Sequence, residues 1–304
     1  MARISRQTKE IIKTVIVLLI VAALVVVFVI YPLNRVRVSM GRVDMDSYNP
    51  DSLPANDAGA WIEAGLNPDT FHVESDGLTT IACLFVKTGV DSAGLAGGTV
   101  FLIHNDGADR DEMLPLARTF LDSGWAVTAF DQRAAGRSSN LYRGDGQYEA
   151  SDIVEVIRHL DLRGQIVHPL IVVGFGVGAD AALLAAFDEK RVDGVVAVNP
   201  YLTTGRMLNK LKERYDMYGF PFFRTMMWWW YGIRSSYAAS YRGIDDIKAV
   251  SCQTLLLTRP EVSADDEVVR LREISSPESL ETGTIPTDDT ELHDLILRFA
   301  SGTR

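Results

Sequence analysis

The longest apolar run in the chain, Thr14 to Leu33, is twenty uncharged residues, most of them Val, Ile, Leu or Ala. At ~1.5 Å per residue a helix of that length covers ~30 Å, the thickness of a hydrocarbon core. The run closes on Tyr31-Pro32-Leu33-Asn34-Arg35, not on the small residues that end a cleaved signal peptide, and so predicts an uncleaved, single-pass signal anchor. Beyond residue 71 the pattern changes to short apolar runs at Phe71–Glu74, Thr80–Lys87, Thr99–His104, Ala126–Phe130, Leu170–Val173, Gly194–Asn199 and Thr254–Thr258. Such continuous runs suit parallel strands buried on both faces, and Asp76-Gly77 between the first two is a hairpin signal. Helical spacing appears between the later strands. Ile153, Val156, Ile157 and Leu160 share one face of Tyr148–Leu160, and Leu292, Leu295, Ile296 and Phe299 share one face of Asp288–Ala300. Ser263-Ala-Asp-Asp266 fits a capping box opening a helix over Ala264–Ile274.

An antiparallel start followed by β-α repeats predicts an α/β domain with a mostly parallel sheet and helices on both faces. The division expected is a basic tail over 1–13, the transmembrane anchor over 14–33, a stalk or linker over 34–70 rich in Pro, Asn, Asp and Gly, and one domain over 71–304. Charge sharpens this division. Residues 1–37 carry six basic side chains and one acid, a balance of +5; with 30 basic and 40 acidic residues in all, the remainder carries −15. So acidic a domain repels nucleic acid and anionic lipid. Four basic residues precede the span and Arg35, Arg37 and Arg42 follow it; the slight excess places the N-terminus in the cytoplasm and the domain on the non-cytoplasmic side. Cys83 and Cys252 sit in apolar strand-like runs and read as buried free thiols. No Cys/His spacing suggests a metal, and no cofactor motif is evident.

Ile171-Val-Val-Gly174-Phe175-Gly176-Val177-Gly178-Ala-Asp-Ala-Ala is a strand, a glycine-rich turn and a helix. The turn has the spacing of a nucleophile elbow, G-x-S-x-G. Its centre is Gly176, flanked by Gly174 and Gly178. A dinucleotide-binding turn would also join strand to helix, but it belongs early in the sheet, and this turn follows the fifth candidate strand. Two more segments point the same way. Val100-Phe-Leu-Ile-His104-Asn105-Asp106-Gly107 ends a strand where an oxyanion turn belongs, and Val177 follows the elbow centre. Phe130-Asp131-Gln132-Arg133-Ala134-Ala135-Gly136-Arg137-Ser138 is similar to a D-x-R-G-x-G-x-S loop, and Asn199-Pro200-Tyr201 closes a later strand. The chain therefore resembles the α/β-hydrolase superfamily, and within it the membrane-anchored branch related to serine aminopeptidase and monoacylglycerol-lipase-like enzymes. The resemblance implies an α/β-hydrolase fold over about 71–304, with a small helical cap at about 202–248.

It also implies a nucleophile, a base, an acid and an oxyanion hole, and here the pattern fails. The nucleophile position is Gly176. The base belongs after the last strand, near Ser275–Thr287, which holds no histidine; His293 falls inside the predicted last helix. Glu261 and Asp265 are available as a vestigial acid with no histidine to orient. Asn105 replaces a glycine of the oxyanion turn, and Asp106 brings a negative charge to it, opposite to what catalysis needs. Losses at separate positions predict a pseudoenzyme: a retained scaffold without acyl transfer, binding a protein partner or an apolar small molecule at the membrane surface. The alternative is a hydrolase of an ester, amide or lipid with a non-standard nucleophile, with Ser138, Ser263 or a cap residue standing nearest the site. The aromatic stretch holding Phe222, Met226, Trp228, Trp229, Trp230 and Tyr231 lies in the cap position. Its readings are a packed cap helix, an apolar pocket wall, a partner surface, or a contact with the bilayer interface, where Trp and Tyr concentrate.

Overall fold

Helix α1 (Arg6–Val25) opens on Ser5, whose hydroxyl accepts the Thr8 amide hydrogen at 3.1 Å, and runs on helically through Val26–Ile30. Its 25 residues are long and apolar enough to cross a membrane. The computed structural model describes residues 5–31, 33–34, 41–42, 49, 52–87, 97–140, 142–144, 146–203, 205–206, 209, 252–260 and 279–303. The aromatic stretch from Phe220 to Tyr231, the helix expected over Ala264–Ile274, and Glu261, Ser263 and Asp265 lie outside them.

The domain is built on one eight-stranded sheet: β1 (Asp69–Ser75), β2 (Thr79–Val86), β3 (Thr99–Ile103), β4 (Ala126–Phe130), β5 (Leu170–Phe175), β6 (Gly194–Val198), β7 (Gln253–Thr258) and β8 (Leu280–Thr284), in the order β1-β2-β4-β3-β5-β6-β7-β8. β1 and β2 form an antiparallel hairpin, β2 pairs antiparallel with β4, and every later pairing is parallel. The turn at Asp76-Gly77 takes φ of 49° and 70°, as the hairpin signal requires. Seven of the strands coincide with the apolar runs. β8 lies inside the segment expected to be the base-bearing loop, so the loop between the last strand and the last helix shrinks to residues 285–288.

Among the described residues the helices after α1 are α2 (Gly59–Glu63), α3 (Leu114–Asp122), α4 (Gln147–Leu162), α5 (Val177–Asp188) and α6 (Asp289–Gly302). One core cluster joins Ile153, Val156, Ile157 and Leu160 of α4 and the alanine-rich inner face of α5 to one side of the sheet. The other joins Leu116 and Phe120 of α3 and Leu292, Ile296 and Ala300 of α6 to the opposite side. Each of these large side chains is sealed from water, worth ~1.5–3 kcal/mol apiece. Cys83 is buried and Cys252 half-buried, both free; burial pushes the Cys83 thiol well up and Cys252 up to about 11.

Several residues of the stretch that the sequence assigns to a linker are bound into the domain. Trp61 of α2 is fully buried in the second core cluster and donates its indole N–H to Asp111 at 2.9 Å. The Asn56 amide donates to the carbonyls of Phe71 (2.8 Å) and Cys83 (3.2 Å). Gly41 bridges antiparallel to Tyr142, and the buried Arg42 guanidinium donates to the carbonyls of Ser138 and Gly136.

Candidate functional site

The elbow is present as geometry. Gly176, between β5 and α5, has φ 54° and ψ −118°, a region that a residue with a Cβ enters only under strain. Its amide donates to the Val198 carbonyl at 2.9 Å. The flanking glycines are required by close approach: a Cβ on Gly178 would lie 2.5 Å from the His104 carbonyl, and one on Gly174 would fall 2.7 Å from the Ala179 nitrogen. In the first turn of α5 the buried Asp180 carboxylate accepts from the amides of Tyr201 (2.9 Å) and Leu202 (2.8 Å), which holds the chain leaving β6.

The space above Gly176, where a nucleophile would project, is occupied by Asn105. A Cβ built on Gly176 would lie 2.7 Å from Asn105 Cγ and nearer still to its Oδ1. Asn105 is fixed in that pose, because its Oδ1 accepts the Asp106 amide hydrogen at 2.7 Å. Asp106 in turn forms a buried ion pair with Arg143. The charge that the sequence sets against an oxyanion is therefore paired with a guanidinium from the far side of the crevice. The remaining crevice, bounded by His104, Asn105, Asp106, Gln132, Arg143 and Val177 among others, has a volume of about 10 Å³, at the lower limit for one water molecule.

His104 is structural. Its Nε2 accepts the Gln132 amide hydrogen at 2.9 Å, so the proton sits on Nδ1, which donates to the Asn105 carbonyl at 2.7 Å. Gln132 closes the loop by donating its side-chain amide to the His104 carbonyl at 2.5 Å. With both ring nitrogens committed, His104 has none to offer a substrate. The short 285–288 loop contains no histidine. His293 lies within α6, half-buried; burial lowers its pKa, against the opposing pull of Asp289 and Asp294. Ser138 is fully buried, donates to the Asp131 carbonyl at 2.5 Å and accepts from the Ala82 amide at 2.8 Å, which removes it as a nucleophile.

The D-x-R loop keeps its architectural role. Asp131 is fully buried and accepts from the amides of Arg110 (2.8 Å) and Arg137 (2.9 Å). A Cβ on Gly136 would lie 2.5 Å from the Asp131 carboxyl carbon, so the close wrap of this loop requires glycine. Arg133 reaches Asp152 through two hydrogen bonds (2.8 and 2.6 Å) and Asp76 at 3.0 Å, and stacks on Tyr148 at 5.0 Å. Burial opposes its charge, but Asp152, Glu149 and Asp76 outweigh it and raise its pKa further. A groove of about 430 Å³ lies between α4 and α5, lined by residues such as Ser151, Val154, Leu184 and Phe187; none of its lining residues belongs to the elbow or the oxyanion turn.

The structure thus brings Gly174, Gly176, Val177, Gly178, His104, Asn105 and Asp106 together. Sequence reasoning missed Arg143 and Gln132, which close the crevice; they lie 37 and 26 residues from Asp106, and no local pattern connects them. Among solved structures the fold is similar to an esterase of Pyrococcus furiosus, 16% identical, with a TM-score of 0.61 over 79% of this chain and 92% of that one. It is also similar to an α/β hydrolase from Penicillium sp. sh18 (14%, TM-score 0.59, 78% and 99%) and to an esterase from Exiguobacterium antarcticum (16%, TM-score 0.52, 77% and 100%). No curated protein matches it in sequence. The sequence model of the family described as serine aminopeptidase, S33, matches residues 96–256, more than half of the chain, and with the eight-stranded sheet and the elbow in place the chain belongs to that family.

Proposed function

We propose that this protein is a single-pass, membrane-anchored α/β-hydrolase-fold protein that performs no acyl transfer and serves as a binding module at the membrane surface. The observation that carries the reading is the position of Asn105: its amide fills the volume into which a nucleophile at Gly176 would project. A serine hydrolase needs that volume for an attacking oxygen and a second one, lined by N–H donors, for the oxyanion. The crevice beside the elbow, about 10 Å³, adds room for no more than a water molecule. It is also small for an apolar ligand, which favours a protein partner over an apolar small molecule, with the aromatic stretch Trp228, Trp229, Trp230 and Tyr231 as the sequence's candidate for that contact. Helix α1 is the anchor, and the basic residues before it set the domain on the non-cytoplasmic side.

The test is chemical. The purified full chain in detergent is expected to show no labelling by a fluorophosphonate probe, and to hydrolyse p-nitrophenyl esters no faster than a heat-denatured sample. Saturable turnover that persists through further purification would overturn the non-catalytic reading.

A further inference from the structure

Helix α1 starts eight residues before the apolar run, and its first two turns are charged. The Ser5 hydroxyl accepts the Thr8 amide hydrogen at 3.1 Å and so fixes the helix start at Arg6. Thr14, the first residue of the apolar run, donates its hydroxyl to the Glu10 carbonyl at 3.0 Å, one turn back. The helix is therefore continuous from the charged turns into the apolar run. At ~100° per residue, Arg6, Lys9 and Lys13 fall within an arc of ~60°, with Ile11 across the helix from them. All three basic residues are exposed. Lys13 pairs with Glu10 at 2.9 Å, an open surface pair of little strength. Among the described residues Arg6 and Lys9 form no ion pair. The first turn holds no acid, and a cation there opposes the helix dipole. The helix itself gains nothing from this stripe.

Depth gives the stripe a ligand. With Thr14 at the edge of the hydrocarbon, a rise of ~1.5 Å per residue sets Lys9 ~8 Å and Arg6 ~12 Å outside it. The headgroup layer is ~5–8 Å thick on each side. Lys9 thus stands among the lipid phosphates, and Arg6 lies just beyond them, inside the ~8 Å over which a surface potential decays at physiological salt. Helix side chains tilt toward the N-terminus, here away from the hydrocarbon, so Lys13 snorkels outward into the same layer.

We infer that Arg6, Lys9 and Lys13 form a site for the headgroups of anionic phospholipids in the leaflet that the N-terminal end of α1 enters. The inference rests on α1 being the anchor. What the stripe recognises is phosphate-borne negative charge spread over a surface, to which each lysine or arginine at a membrane boundary adds attraction. Arg3 adds one more basic residue to the tail in sequence. Residues 38–304, with a balance of −15, repel such a surface, so the tail alone supplies the attraction.

The full chain carrying Cys252→Ser and Gln7→Cys, with the buried Cys83 left in place, is labelled with a fluorophore at position 7 and reconstituted in phosphatidylcholine vesicles. Quenching by nitroxide-bearing phosphatidylserine is compared with quenching by nitroxide-bearing phosphatidylcholine at equal mole fraction. The expected result is at least twofold stronger quenching by phosphatidylserine, falling toward parity in about 1 M salt, where charges are screened within ~3 Å. Arg6→Gln with Lys9→Gln is expected to abolish the preference. Glu10→Gln, which keeps every basic residue and releases Lys13, is expected to raise it. Equal quenching by the two lipids, in protein that resists alkaline extraction, would overturn the site while leaving the anchor intact. Release of the protein by alkaline extraction would overturn the anchor and the site with it. A preference that neither set of substitutions moves would overturn the assignment to these residues. Loss of the preference on adding millimolar inorganic phosphate at constant ionic strength would assign the stripe to a soluble phosphate and overturn the lipid as its ligand.

Discussion

Asn105 and Gly176 explain one another. A strained elbow without a side chain leaves a hole above its centre, and an unfilled hole in a buried site forfeits dispersion contacts on every wall. The Asn105 amide fills it and uses the Asp106 N–H to satisfy its own oxygen. Returning a serine to the elbow therefore meets two costs: positive φ with a Cβ, ~1–3 kcal/mol, and collision with the amide, a further ~1–3 kcal/mol of overpacking. Gly176→Ser is expected to destabilise by about 2–6 kcal/mol in urea denaturation, and adding Asn105→Gly to recover the overpacking part. The two substitutions should be strongly non-additive in a double-mutant cycle. Additive costs would mean that Asn105 does not occupy the elbow. Neither variant is expected to hydrolyse esters, since no histidine lies in the 285–288 loop and His104 has both nitrogens bound.

At the scale of elements, the loop after β4 acts as a brace. Arg133, from the loop after β4, clamps α4 through Asp152, and both side chains are almost fully buried. Removing one member of such a pair strands the other charge, at ~3–5 kcal/mol, whereas replacing both with apolar groups is close to neutral. Arg133→Met is expected to lower stability by about that amount, and Arg133→Met with Asp152→Leu to restore most of it; a double variant no more stable than the single one would show that the pair serves something beyond its own neutralisation. The same scale separates what the sequence makes legible from what it hides. Seven strands announce themselves because they are buried on both faces and so carry unbroken apolar runs. β8 does not: Leu280-Glu-Thr-Gly-Thr284 is a half-exposed edge strand with one large apolar residue, and it reads as loop. Helix α2 is five residues long, too short for a period to show, and is held by burial of Trp61. The elbow glycines are legible from spacing alone, because the demand they meet is local. The Asp106–Arg143 pair and the Asn105 plug are tertiary facts about segments that sequence spacing does not connect.

At the scale of the whole chain, the question is where the folded unit begins. Pro, Asn and Asp make 34–70 look like a stalk, but Arg110 sits fully buried with its guanidinium bonded to Asn56 Oδ1 at 2.7 Å and the Asp57 carbonyl at 2.5 Å. Cutting at residue 71 would leave the Arg110 guanidinium without its two hydrogen bonds to Asn56 and Asp57, beside Asp131 at 3.9 Å, empty the Trp61 site at ~3–5 kcal/mol, and withdraw the Arg42 and Asn56 bonds. Together these losses rival the ~5–15 kcal/mol that holds an ordinary domain folded. A fragment of residues 38–304, which keeps all of them, is expected to be water-soluble and to unfold cooperatively by circular dichroism. A fragment of residues 71–304 is expected to lack a cooperative transition. Trp61→Ala in the longer fragment should fall between the two, losing ~3–5 kcal/mol while remaining folded. If the 71–304 fragment unfolded with the same midpoint as 38–304, the residues before β1 would be a passive linker after all. The bonds from Arg110 to Asn56 and Asp57 would then be a consequence of folding and not one of its conditions.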